Sequence, residues 1–359
     1  METWLSTDLI SDPAKATIGG FVVGLLFGVF AQSSRFCLRS ACIEFWNGRL
    51  GQHVGVWLFV FGTSLFLVQC LMTDGAFMAA EVRQLASPGT LSGAAIGGML
   101  FGVGMILARG CASRLLVLSA TGNLRALTAG LVVTVVAQAS LSGVLSPLRL
   151  ALSELWIVDA NVRNLMTYLP EGAGIFFGML ILVLAAVIAF RSGLSWQRAA
   201  LGGGVGLTVA AGWWFTAALS HVSFAPIVAG SVTFTGPSAD TLMALITSPT
   251  VPLDFSIGLV PGVFAGSFLS SVFRREFDVQ VFDADTGTLR YLVGAALMGF
   301  GGMLAGGCAV GAGVTGGAVL SLTAWTALFF MWVGAGLTDR ALNHHGLRLR
   351  VGTPLGKTF

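Results

Sequence analysis

Charge is what this chain most lacks. Only 10% of its 359 residues are Asp, Glu, Lys or Arg, against about 25% in soluble domains, and a mean hydropathy of +0.86 excludes an ordinary globular protein. Histidine is scarce, four residues in all, and the five cysteines include no CxxC. A metal centre built on His/Cys spacing is therefore not expected, and nothing calls for a cofactor or a nucleic-acid partner. The G-x-x-x-x-G-K-[ST] phosphate loop is missing, which argues against a nucleotide-driven pump. So are the alternating runs of about ten residues that a membrane barrel requires. The opening METWLSTDLISDPAK has neither the basic flank nor the small-residue cleavage site of a signal peptide, so removal of an N-terminal segment is not expected. No polar linker or shift in composition divides the chain, which reads as a single transmembrane domain.

Present instead are apolar runs long enough to cross a hydrocarbon core of about 30 Å as helices. They predict an all-α polytopic membrane protein with about nine spans, near 16–33, 52–72, 92–108, 124–146, 172–190, 199–219, 255–272, 290–306 and 321–338. Two shorter apolar pieces, 112–120 and 224–236, read as re-entrant or half helices. Lys and Arg then set orientation, because short loops rich in them stay cytoplasmic. One set of loops and ends holds fifteen, from Arg35 and Arg39 through Arg348, Arg350 and Lys357; the other holds only Lys15, Arg83, Arg149 and Arg163. That asymmetry predicts a cytoplasmic C-terminus. The stretch 147–171, with Trp156 and Tyr168, reads as an interfacial segment on the outer side.

One phrase repeats. "MLFGVGMILARGCAS" at 99–113 returns as "LMGFGGMLAGGCAVG" at 297–311 and, more weakly, as "LLFGVFAQSSRFCLR" at 25–39; "GVFAGSFL" at 262–269 is a cysteine-free echo. Aligning Cys111 with Cys308 pairs Gly97, Gly104 and Gly110 with Gly294, Gly301 and Gly307. Internal repeats are a common construction of membrane transporters, here with an N-terminal half at 1–170 and a C-terminal half at 171–359. On the predicted topology the helix before Cys111 runs inward and the helix before Cys308 outward, an inverted pair. Glycines four apart, as at Gly24/Gly28 and Gly98/Gly102, are expected to let helices approach closely.

Small-residue packing does not account for the cysteines. Three of five stand at the same place in the repeat, where the helix breaks: Cys37, Cys111 and Cys308. Cys42 and Cys70 read as small buried hydrophobes. Irregular backbone at membrane depth is tolerated where it lines a cavity or is buried in protein. Arg109-Gly110-Cys111 and Gly306-Gly307-Cys308 are expected to free backbone N–H groups there, and a half helix from Ser113 would aim its positive end at the same spot. With Arg35, Arg109 and Arg114 nearby, these groups suit an anion. A neutral thiol is a weak, polarizable donor, matched to a soft sulfur atom.

These residues resemble the YeeE/YedE family of bacterial inner-membrane proteins, and the resemblance covers most of the chain. It implies uptake of a small sulfur-containing anion, thiosulfate above all, along an hourglass-shaped path lined by three cysteines. Position by position these are Cys37 in "SSRFCLRS", Cys111 in "ARGCASRL" and Cys308 in "AGGCAVGAG". The expected substrate-binding set is thus Cys37, Cys111, Cys308, Arg109, Arg35, Gly110, Gly307 and Ser113. Expected partners are the sulfur anion, membrane lipid and a cytoplasmic sulfur-carrier or regulator protein. Two other classes use the same residues: a membrane sensor reporting bound sulfur to that regulator, and a membrane thiol redox enzyme.

Overall fold

In the computed structural model, residues 11–223, 227–247, 252–281 and 287–344 are described. Among them eight helical stretches are long and apolar enough to cross a membrane. The long helices are α1 (Asp12–Ser34), α3 (Gln52–Thr73), α4 (Leu91–Leu107), α6 (Leu124–Ser142), α7 (Ala173–Ser192), α8 (Trp196–Val222), α10 (Phe255–Phe273), α11 (Thr288–Leu304) and α12 (Leu322–His344). They overlap the nine predicted segments; the last, α12, is 23 residues long but is not among the eight. Between them lie α2 (Leu38–Trp46), α5 (Ala112–Ala120) and α9 (Thr235–Thr247). The tail arginines Arg348 and Arg350 and Lys357 lie outside the described residues.

Side-chain caps start several of these helices. Asn123 accepts the Ala126 N–H at 2.9 Å and Asp254 the Ile257 N–H at 2.8 Å, as N-cap residues do. The interfacial stretch forms short helices and one strand, Ile157–Val158, antiparallel to Gly89–Thr90.

Glycine sets how the long helices cross. A Cβ on Gly97 would stand 2.6 Å from the Gly301 carbonyl oxygen, and one on Gly104 would stand 2.5 Å from that of Gly294. Early α4 therefore meets late α11 and the reverse, so the two helices are antiparallel. Each glycine faces the counterpart of the other in the repeat, the signature of a pseudo-two-fold pair. By the same test α1 and α10 run parallel, Gly24 meeting Leu259 and Gly28 meeting Val263, and so do α4 and α12, through Gly98–Ala327 and Gly102–Met331. All these directions agree with the alternation predicted from the charges.

The stretch 224–236 is not the expected half helix. Residues 224–226 lie outside the described residues, and the chain stays irregular until α9 begins at Thr235. Hydroxyls hold that strand of backbone inside the protein. Thr216 Oγ1 bonds both the N–H and the carbonyl of Gly230. Ser231 donates to the Val209 carbonyl, and Thr315 to that of Val232, each at 2.6 Å. Side chains satisfy groups that a helix would have satisfied by itself.

Candidate functional site

Helices α1, α4 and α11 end in the same turn. Two residues before each cysteine the backbone is left-handed, at Arg35 (φ 56°), Arg109 (φ 58°) and Gly306 (φ 81°). The next residue's N–H reaches back five positions: Phe36 to Ala31 at 3.2 Å, Gly110 to Met105 at 3.1 Å, Gly307 to Gly302 at 2.8 Å. This is a Schellman closure. It corrects the expectation that Gly110 and Gly307 would offer free N–H groups, because both N–H groups close the turn.

Each cysteine then stands extended as the N-cap of a half helix: Cys37 before α2, Cys111 before α5, and Cys308 before a π-helix, Ala309–Thr315, that runs into the α-turn Gly316–Ala318. The half helices end at left-handed Gly48, Gly122 and Leu320. The third unit carries one residue more, as a π-bulge inserts. The unpaired donors are therefore the first-turn N–H groups of the half helices. Cys308 Sγ accepts the Gly311 N–H at 3.4 Å. At Cys37 and Cys111 no such side-chain cap forms.

Tertiary packing brings two of the three cysteines together. Cys37 and Cys111 are buried, and their thiols lie near enough to act on each other electrostatically; Ser113 Oγ, also buried, lies 3.4 Å from Cys111 Sγ. Cys308 is fully buried and sits elsewhere: its helix runs opposite to α4, so its break lies at the other end of the crossing. The π-helix after it touches α5, which links Cys308 to the half helix that follows Cys111. All five cysteines are free thiols.

A polar chain flanks the Cys37–Cys111 pair. Arg114, half-buried on α5, donates to Gln32 Oε1 at 3.2 Å, and Gln32 Nε2 donates to Glu276 at 3.0 Å. Glu276 in turn lies 3.6 Å from Arg35, whose side chain is 57% exposed. Arg114 is near enough to act electrostatically on both thiols. Arg109 does not join this chain; its guanidinium lies over the Tyr291 ring, 5.7 Å from the centroid. A polar cavity of about 420 Å³, lined by Ser33, Gln52, Arg198 and Arg274 among others, opens beside the end of α1. Sequence reasoning missed Gln32 and Glu276. The signal for Gln32 was present, an amide in the last turn of an otherwise apolar helix; for Glu276 there was none.

Two thiols, a guanidinium and the positive ends of half helices make a set of donors with a soft component. Such a set has the chemistry to hold an anion that has a polarizable atom. Among the described residues no group of three or more His, Cys, Asp or Glu side chains could hold a metal ion.

Comparison with known proteins gives consistent matches. A family model described as sulphur transport matches residues 33–337. Two curated relatives carry the name thiosulfate transporter TsuA. The one from Escherichia coli K12 is 26% identical over 351 residues, covering 88% of this chain and 92% of the relative. The one from Spirochaeta thermophila is 26% identical over 339 residues, covering 88% and 96%.

Proposed function

The chain belongs to the sulphur-transport family, and from that premise we propose that it carries thiosulfate inward across a bacterial inner membrane, from Cys308 to the Cys111–Cys37 pair. The observation that carries this reading is the triple use of one device, a left-handed turn followed by a cysteine that caps a half helix. The C-terminus is taken as cytoplasmic, which makes Cys308 the outer thiol and Cys37 and Cys111 the inner ones. The crossing of α4 with α11 supports a division into repeat halves at 1–170 and 171–359.

The thiols act as neutral donors. A thiolate 4 Å from a dianion would repel it by roughly 8 kcal/mol at an effective dielectric of about 20, which would block the path. An S–H group instead offers its hydrogen to the terminal sulfur of thiosulfate, while Arg114 and the first-turn N–H groups of α2 and α5 face its oxygens. On the inner side a cytoplasmic sulfur-carrier protein receives the anion.

Uptake of ³⁵S-thiosulfate into proteoliposomes tests the proposal, together with growth of a sulfur auxotroph on thiosulfate as its only sulfur source. Both should depend on the protein. Binding without uptake would instead point to a sensor, and turnover with a quinone or a disulfide to a redox enzyme.

A further inference from the structure

Several arginines of the arginine-rich face have a clear partner. Arg35 pairs with Glu276, Arg198 donates to Gln52 at 3.2 Å, and Arg340 lies over the Trp46 ring at 4.7 Å. Arg39, Arg109 and Arg290 are less well partnered, Arg109 having only the face of the Tyr291 ring at a longer 5.7 Å. They come from three elements: the first turn of α2, the left-handed turn before Cys111, and the first turn of α11. Arg109 and Arg39 both lie close enough to Arg290 to repel it, and among the described residues no carboxylate acts there, the Tyr291 phenol being the attractive group. The Nε atoms of Arg39 and Arg290 are buried with no hydrogen-bond partner among the described residues. Arg290 otherwise reaches only the Ile106 carbonyl, at a long 3.5 Å.

Two like charges beside Arg290, with an orphaned buried N–H on Arg39 and on Arg290, have no carboxylate partner among the described residues and few acceptors: a ring face for Arg109 and one long carbonyl contact for Arg290. One kind of ligand supplies both a counter-charge and acceptors. Guanidinium groups present their N–H donors in a planar fork that matches an oxyanion, and three of them surround one. The cluster adjoins the inner thiols: Arg39 acts electrostatically on Cys37, and Arg109 precedes Cys111 by two residues. It is separate from the Arg35–Glu276–Gln32–Arg114 chain, whose charges do not figure around Arg290.

We propose that Arg39, Arg109 and Arg290 form a second anion site beyond the inner thiol pair, built for a small oxyanion group. That group is thiosulfate leaving the thiols or the phosphate of an anionic lipid headgroup at the same depth. The role as an exit site rests on the transport reading; the site itself does not.

The test uses the full-length protein in phosphatidylcholine nanodiscs, with and without phosphatidylglycerol, and counts bound ³⁵S-thiosulfate per chain. The wild type should bind an equivalent that Arg39→Gln and Arg290→Gln each weaken at least tenfold, that Arg290→Lys partly keeps, and that survives in Cys111→Ala. If lipid phosphate is the occupant, phosphatidylglycerol suppresses that equivalent. Native mass spectrometry then shows the lipid retained by the wild type and lost from the two Gln variants. Gel filtration and thermal melting confirm that the variants are folded. Wild-type levels of both thiosulfate and phosphatidylglycerol binding in both Gln variants would overturn the site. A wild type that binds at the arginines but gives no uptake would defeat the transport reading and leave this site standing.

Discussion

The Cys37 and Cys111 thiols meet although they cap half helices in different repeats. Helices α1 and α4 both run toward the arginine-rich face, so equal breaks at their ends bring equivalent residues to one depth. Cys308 ends a helix of opposite direction and stands apart. The antiparallel crossing of α4 with α11 thus leaves two thiols together and the third apart.

Replacing Cys111 or Cys308 by Ala should abolish thiosulfate uptake while the protein still inserts and folds, since loss of one small buried side chain costs a few kcal/mol at most. Cys42→Ala and Cys70→Ala should transport normally. Proteoliposome uptake decides; full activity in both Cys111→Ala and Cys308→Ala would remove the thiols from the path.

Arg114 is the cation beside the inner pair. Arg114→Gln should raise the apparent KM for thiosulfate about tenfold, equivalent to about 1.4 kcal/mol of binding, and Arg114→Lys should recover part of it. The exposed Arg191→Gln is the control. Equal kinetics in the Arg114 and Arg191 variants would mean that Arg114 serves packing only.

At the crossing, Gly104→Ala puts a methyl 2.5 Å from the Gly294 carbonyl oxygen and should destabilise by about 1–3 kcal/mol. Nothing lies within 4 Å of a Cβ at Gly130, so Gly130→Ala should be neutral or stabilising by up to about 1 kcal/mol. Thermal melting of the two purified variants distinguishes them, and similar melting temperatures would contradict the antiparallel crossing.

Gly306 isolates the backbone cost of the repeated turn. Its surroundings are open but its φ is +81°, so Gly306→Ala should cost roughly 1–2 kcal/mol through conformation only. The same melting assay reads it, and no loss of stability would show that the left-handed turn is not needed there.

At the end of α8, His221 Nε2 lies 3.0 Å from Glu81 Oε1. Burial raises the Glu81 carboxyl, but hydrogen bonds from His221 and the Met78 N–H outweigh it and hold the carboxyl below its ordinary value. Its contribution is therefore present above the unfolded value of about 4.3 and fades as pH falls through the lower folded one. For a pair this exposed it stays under about 1 kcal/mol. Melting of Glu81→Gln against the wild type should differ slightly near neutral pH and converge below about pH 4; a gap that widens on acidification would reverse the assignment.

The sequence by itself determined the all-α membrane class, the long helices and the half helix 112–120, because long apolar runs have one solution in lipid and breaks are written in local residues. It also marked Cys37, Cys111 and Cys308, since a repeat exposes what each copy keeps. Tertiary structure decided the rest. Gly110 and Gly307 look like sources of free N–H groups until the turn closes and uses them. The pairing of Cys37 with Cys111, the link from Arg114 through Gln32 to Glu276 and the convergence of Arg39, Arg109 and Arg290 depend on which helices run parallel and how closely glycines let them cross. Those are contacts between residues far apart in the chain, and no local pattern encodes which distant side chain fills the space beside a thiol.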